Sequence, residues 1–337
     1  MCVSEMETSL LNIDQLGDAA AIIAAGGVVA FPTETVYGLG ADATNRSAIL
    51  KIFEAKGRPS DNPLIVHVAA VGDVLRVAKE IPPIAQKLMN AFWPGPLTIV
   101  MPKGDSVVAE VCAGLQSVAV RMPNHPVATE LIRRAGVPLV APSANRSGRP
   151  SGTTWEAVRD DLSGRIESIV CGDPTELGLE STVIDVTQNP PCVLRHGAIS
   201  LKSLQAVAPN VVSIEDLEAS EQVRLHKSPG TRHRHYQPHA RVLLASSVTE
   251  GGGATLPLGG GSNPLARAWI GLSSPNPMVD WRMIKVCENV EEYARALFSF
   301  FREMDRLGIE EIVCECVPED GIGRALMDRI RRASVNE

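Results

Sequence analysis

Ser228-Pro229-Gly230-Thr231-Arg232-His233-Arg234-His235-Tyr236-Gln237-Pro238 divides this chain in two. Its prolines and glycine bar it from a helix interior or a central strand. Between those breakers stand two arginines, two histidines and a tyrosine. That chemistry suits a strap carrying positive charge and an aromatic ring to an anion. The expectation is a lid over a phosphorylated ligand, with the phosphate site upstream. From about Ile214 to Arg241 the composition is charged and rich in His and Pro, so residues 214–241 read as an interdomain lid or linker. Residues 1–213 then form one α/β domain and residues 242–337 a smaller second one.

The bulk numbers agree with two globular domains: 337 residues, 45% hydrophobic and 21% charged. No uninterrupted apolar run is long enough to cross a bilayer. The first residues, MCVSEMETSLLNID, carry acids and no basic segment, unlike a secretory signal. Seven cysteines are scattered. Cys314 and Cys316 are the one close pair and fall on an expected core strand, and no paired CxxC zinc pattern exists. The expected location is the reducing cytoplasm, with no membrane partner. A net charge of −7 argues against non-specific coating of nucleic acid. Local basic clusters still leave room for an anionic substrate or a piece of RNA.

Asp14 to Ala25 has a helical apolar face, and Gly27 to Phe31 reads as a buried strand. Short apolar runs at 63–68, 97–101, 118–122, 139–142, 168–171, 182–186 and 192–195 read as further strands. Helices are expected at 47–54, 84–91, 127–135 and 154–162. Many short strands with few helices between them predict a twisted mixed sheet, not a regular doubly wound one. In the second part, strands at 242–245 and 312–317 alternate with helical patterns. Val290, Tyr293, Ala294, Leu297, Phe298, Phe301 and Met304 form a core face. Arg324 to Arg332 closes the chain as a helix, and the order predicts a small Rossmann-like α/β layer.

Several motifs carry chemistry. Gly38-Leu39-Gly40-Ala41-Asp42-Ala43 matches a dinucleotide fingerprint. It lies too far beyond the strand before it, and reads as a tight turn with close packing. Lys56-Gly57-Arg58-Pro59 begins a stiff loop that offers a point charge and a guanidinium fork, suited to polyphosphate. The plain alternative is a solvated turn. Ser143, Asn145 and Ser147 follow a strand end, where open α/β sheets bind ligands. Arg121 and Arg195 each end an apolar strand, as surface charges or anion anchors. Glu180 is a metal ligand, an amine ligand or a turn carboxylate. His67 on its apolar strand reads as a core histidine. His233, His235 and His239 have metal-like spacing, but Arg232 and Arg234 interleave, so no protein metal ligands are expected.

Together these stretches resemble a known family. Phe31-Pro32-Thr33-Glu34-Thr35-Val36-Tyr37-Gly38-Leu39, Lys56-Gly57-Arg58-Pro59, Pro63 to His67, Trp93 to Thr98, Ser143 to Gly148, Glu180 to Val183 and Leu194-Arg195-x-Gly197 occur in the order of the YrdC-like family. The strap and Gly323-Arg324-Ala325-x-x-Asp328-Arg329 resemble its two-domain, lid-bearing branch. Thr231 and Gln237 stand where that branch usually has Met and Ala.

The resemblance implies a YrdC-like sheet followed by the small Rossmann-like domain. It also implies synthesis of threonylcarbamoyl-adenylate and pyrophosphate from L-threonine, bicarbonate and ATP with Mg2+. The product would pass to the machinery that transfers threonylcarbamoyl to tRNA. By the same resemblance, Thr35, His67, Arg121, Ala141 and Ser181 hold threonine. Arg58, Asn62, Ser117, Ser143, Asn145, Ser151, Arg195 and Tyr236 hold ATP, and Lys56 and Arg58 are catalytic through their charge. No protein nucleophile is needed, so catalysis is positioning and cationic stabilisation of a phosphoryl transition state. The rivals are a carbamoyltransferase of the same fold, an idle RNA-binding module and a dinucleotide oxidoreductase.

Overall fold

The computed structural model describes residues 6–217, 236–246 and 266–334. Residues 228–235 of the strap, including Arg232, His233, Arg234 and His235, lie outside the described residues, as do the glycine runs 251–253 and 259–261. Tyr236, Gln237 and Pro238 lie inside them.

Eleven short strands form the first sheet. They are β1 (Ser9–Leu11), β2 (Val29–Phe31), β3 (Gly38–Asp42), β4 (Ile65–His67), β5 (Leu97–Pro102), β6 (Ser117–Arg121), β7 (Leu139–Val140), β8 (Ser168–Val170), β9 (Thr182–Asp185), β10 (Cys192–Arg195) and β11 (Val212–Ser213). Their spatial order is β1-β8-β2-β3-β7-β4-β6-β5-β9-β10-β11. Pairing is mixed: β4 and β6 run parallel, while β5 and β6 run antiparallel. Both faces of the sheet are buried, as strand periodicity requires. Val28 and Ala30 join the main core, whereas Val29 and Phe31 join a second cluster. That second cluster receives Ala19 and Ile23 from α1 (Leu16–Ala24), and Leu131 and Ile132 from α4 (Pro126–Ala135).

Local chemistry sets the helix ends. α2 (Arg46–Lys56) starts where the Asn45 side chain accepts from the amides of Ser47 and Ala48, and it stops at Gly57 with φ +60°. α4 begins on Pro126 and stops at Gly136 with φ +69°. α3 (Pro83–Phe92), α5 (Trp155–Leu162) and α6 (Leu201–Val207) complete the layer.

The expected turn at Gly38 to Ala43 is instead strand β3, hydrogen-bonded to β2. A Cβ on Gly40 would lie 2.7 Å from the Phe31 ring. Glycine is there so that two strands can close over an aromatic side chain.

The second sheet has four parallel strands in the order β12-β15-β13-β14. Their ranges are β12 (Arg241–Ala245), β13 (Arg267–Gly271), β14 (Trp281–Val286) and β15 (Glu311–Glu315). Val242, Ala268, Ile270, Ile312 and Cys314 point to a core shared with α7 (Val290–Arg306) and α8 (Ile322–Ser334). Ala245, Trp269 and Val313 form a separate small cluster on the other face. All seven residues of the expected α7 face pack in or against the larger core.

The two domains are fastened by charge. Arg302 of α7 bonds the Asp161 carboxylate of α5 at 2.7 and 3.2 Å and the Pro150 carbonyl at 2.5 Å. Arg149 reaches the same carboxylate at 2.8 Å, and Asp161 has no exposed side-chain surface.

Candidate active site

The pocket lies beyond the ends of the central strands of the first sheet. Parallel register places His67, the last residue of β4, beside Arg121, the last residue of β6. Ser181 stands just before β9, Arg195 ends β10, and Ala141 to Ser143 follow β7. Eleven of the residues expected from the sequence line this one pocket: Thr35, Arg58, His67, Arg121, Ala141, Ser143, Asn145, Ser151, Ser181, Arg195 and Tyr236. Four arginines (58, 121, 149 and 195) line it against one carboxylate, Glu180.

At one end Arg121 is tied to three neighbours. It donates to the Thr35 hydroxyl at 2.8 Å and the Gly95 carbonyl at 3.2 Å, and pairs with Glu34 at 2.7 Å. Burial alone would raise the Glu34 carboxyl. The Arg121 guanidinium and a bond from the Asn124 amide more than offset that, so Glu34 is held below its usual range. Burial and then the Arg121 charge push His67 down to about 3, leaving a neutral imidazole in the wall. The Ser181 hydroxyl bonds Thr98 at 2.8 Å and accepts from Arg195 at 3.1 Å.

The other end presents cations with spare donors. Arg58 gives Nε and Nη2 to the carbonyls of Asn62 and Pro63 at 3.0–3.3 Å. Arg195 gives Nε to the Ser181 carbonyl and Nη2 to its hydroxyl, both at 3.1 Å. Among the described residues no bond occupies Nη1 of either. Burial lowers Arg58 to about 10, so it stays charged at neutral pH. Glu180 accepts from the Ser151 hydroxyl at 2.6 Å and from Arg329 of α8 at 2.9 Å.

Three of the expected residues stay outside the lining. Lys56 is buried, with its ammonium bonded to the carbonyls of Ser143 and Asn145 at 2.5 and 2.6 Å. Burial and then the nearby Arg58 charge hold it well below the usual lysine range. As it stands, its charge ties the loop Ser143 to Asn145 to α2. Asn62 acts from behind, as an acceptor for Arg58. Ser117 starts β6 while Arg121 ends it, which separates them by about 13 Å of strand.

Sequence reasoning gave no role to Glu34, Arg149 or Arg329. The signal for Arg329 was its position: it interrupts the apolar face of α8 beside Leu326, Met327, Ile330 and Ala333 and has no exposed surface. Among the described residues, no group of three or more His, Cys, Asp or Glu could hold a metal ion.

The family model described as "Telomere recombination" matches residues 21–197, and the one described as "Threonylcarbamoyl-AMP synthase, C-terminal domain" matches residues 199–335. The chain is 42% identical to the threonylcarbamoyl-AMP synthase of Pyrococcus abyssi, over 94% of this chain and 93% of that one. It is 40% identical to the Bacillus subtilis threonylcarbamoyl-AMP synthase, over 96% and 94%. A crystal structure of Pyrococcus abyssi Sua5 complexed with L-threonine superposes with a TM-score of 0.85 at 39% identity, covering 97% of this chain and 98% of that chain. The chain belongs to the threonylcarbamoyl-AMP synthase family. It is an enzyme of nucleotidyl transfer, and its product is threonylcarbamoyl-AMP.

Proposed function

We propose that this pocket takes L-threonine, bicarbonate and the magnesium complex of ATP, and releases threonylcarbamoyl-AMP and pyrophosphate for tRNA modification. The observation that carries the reading is the division of one pocket into two chemistries. The His67, Arg121, Thr35 and Ser181 end offers a neutral imidazole, hydroxyls and a guanidinium, suited to a small amino acid. The Arg58 and Arg195 end offers unspent donors, suited to a polyphosphate. A relative bound to L-threonine supports the first half.

The threonine amine attacks the bicarbonate carbon, forming the N–C bond with loss of water. A carbamate oxygen then attacks the α-phosphorus, and the bond to pyrophosphate breaks. No side chain becomes covalent. Arg58 and Arg195 stabilise charge on the transferring phosphoryl group, and burial keeps water from the mixed anhydride. Magnesium arrives with the triphosphate as part of the substrate.

We place the reaction in the cytoplasm, where ATP and tRNA are available. Six cysteines among the described residues are free, and no described helix is long and apolar enough to cross a membrane. The product is handed to a transferase acting on tRNA. The test is pyrophosphate release with ATP. Release should require both threonine and bicarbonate. Equal turnover with serine, or with no amino acid, rejects the substrate assignment.

A further inference from the structure

The second domain packs against the pocket wall at the loop from Gly178 to Glu180. At Gly178, φ is +74°, and a Cβ there would lie 2.4 Å from the Arg295 Cα on α7. Leu179, next in the chain, is buried in the second domain's own core with Phe298 and Ile330. Glu180 then divides its oxygens between the two domains, taking the Ser151 hydroxyl on Oε1 at 2.6 Å and Arg329 Nε on Oε2 at 2.9 Å. The same guanidinium gives Nη2 to the His196 carbonyl at 2.9 Å. It also lies 5.3 Å from the centre of the Tyr236 ring, which is itself stacked on Phe298 at 5.2 Å.

Arg329 does not line the pocket. Burying a guanidinium in the apolar face of a helix costs several kcal/mol of desolvation before any partner is found. Fastening alone does not require it, because Arg302 and Asp161 already join the domains elsewhere. Besides its neighbour Asp328, its partners are pocket-wall groups or the backbone beside them.

We propose that Arg329 is a positioning residue: from the second domain it fixes the wall of the nucleotide pocket built by Glu180, Ser151 and Tyr236, without touching substrate. The nucleotide label rests on the function proposed above. The geometry makes the second domain a component of the binding site, and the loop from Gly178 to Glu180 is the piece it shapes.

The test uses the full chain with Arg329→Gln, Arg302→Gln and the charge-free pair Arg329→Met with Glu180→Gln. ATP Kd is measured by titration calorimetry, alongside KM for ATP and for threonine. Loss of two charge-assisted contacts should raise ATP Kd and KM roughly tenfold or more in Arg329→Gln. Threonine KM should stay within about twofold, a split that general loosening does not produce. Arg302→Gln also loosens Arg149 and the backbone before Ser151, so it should lower the unfolding midpoint and raise ATP Kd by less than Arg329→Gln does. If Arg329→Gln does not fold, the charge-free pair carries the test and should still bind ATP weakly. Wild-type ATP affinity in that pair, or equal weakening by Arg302→Gln, overturns the proposal. A wild-type chain that binds ATP but releases no threonine-dependent pyrophosphate rejects only the reaction, because the Kd comparison does not depend on turnover.

Discussion

Replacing Arg121 with Gln should damage the protein in a way that depends on pH. The guanidinium and its partner Glu34 have only 5% and 4% of their side-chain surface exposed. Removing one member of such a pair strands the other charge, at a cost of about 3–5 kcal/mol. In the wild-type chain the Glu34 carboxyl lies below 4.5, so its contribution is fully present above pH 4.5 and is lost as pH falls through the lowered value. In the variant the burial remains and the opposing charge is gone, so the carboxyl rises above 4.5. Its ionised form then penalises the fold, and the penalty grows as pH climbs from 4.5 to the raised value. Each unit of displacement is worth about 1.4 kcal/mol.

Urea unfolding at pH 5 and pH 8 should therefore show a destabilisation near the full 3–5 kcal/mol at pH 8 and a smaller one at pH 5. His67 stays neutral throughout, since burial is its largest influence. Making the comparison in a His125→Gln background removes the other imidazole that feels Glu34. Threonine Kd should also rise about 10- to 100-fold, because a carboxylate would lose charge-assisted bonds. Equal destabilisation at both pH values would refute the stranded-charge argument, and unchanged threonine affinity would take Arg121 out of the amino-acid site.

Two further outcomes follow from buried charges. Lys56→Met leaves the Ser143 and Asn145 carbonyls without their donor, so stability should fall by about 2–4 kcal/mol and turnover should fall with it. Loss of activity with an unchanged unfolding midpoint would instead put the ammonium on the substrate. Asp161→Asn leaves Arg302 and Arg149 facing an uncharged amide and should cost about 3–5 kcal/mol. Its unfolding by urea should separate into two transitions as the domains uncouple, and a single unshifted transition would remove Asp161 from the fastening.

The sequence was most legible where one local rule acted alone. α7 was readable because Tyr293, Leu297, Phe298, Phe301 and Met304 repeat at helical spacing, and all are buried. The ends of β4, β6 and β10 were readable because a charged or polar residue closes an apolar run. β3 was misread because its glycines mimic a turn, and only the Phe31 ring across the strand pair explains them. β13 and β14 went unseen. β13 is held by the parallel strand β15, far away in sequence, and the outer strand β14 is only half-buried. At the site, the residues that face the pocket were recognisable by motif. The second set, Glu34 under Arg121 and Arg329 under Glu180, depends on contacts across 87 and 149 positions of chain, which no local pattern encodes.

The lining of the pocket contains neither lysine nor cysteine among its described residues. A threonylcarbamoyl adenylate is an acylating agent, and a free amine or thiolate held beside it would be modified by the enzyme's own product. Guanidinium groups supply the positive charge instead; they remain protonated and are poor nucleophiles. The nearest lysine, Lys56, has its nitrogen directed at two backbone carbonyls. The choice of arginine for every lining cation thus gives the site chemical durability: it can gather a triphosphate and hold a reactive anhydride while offering that anhydride no amine or thiol.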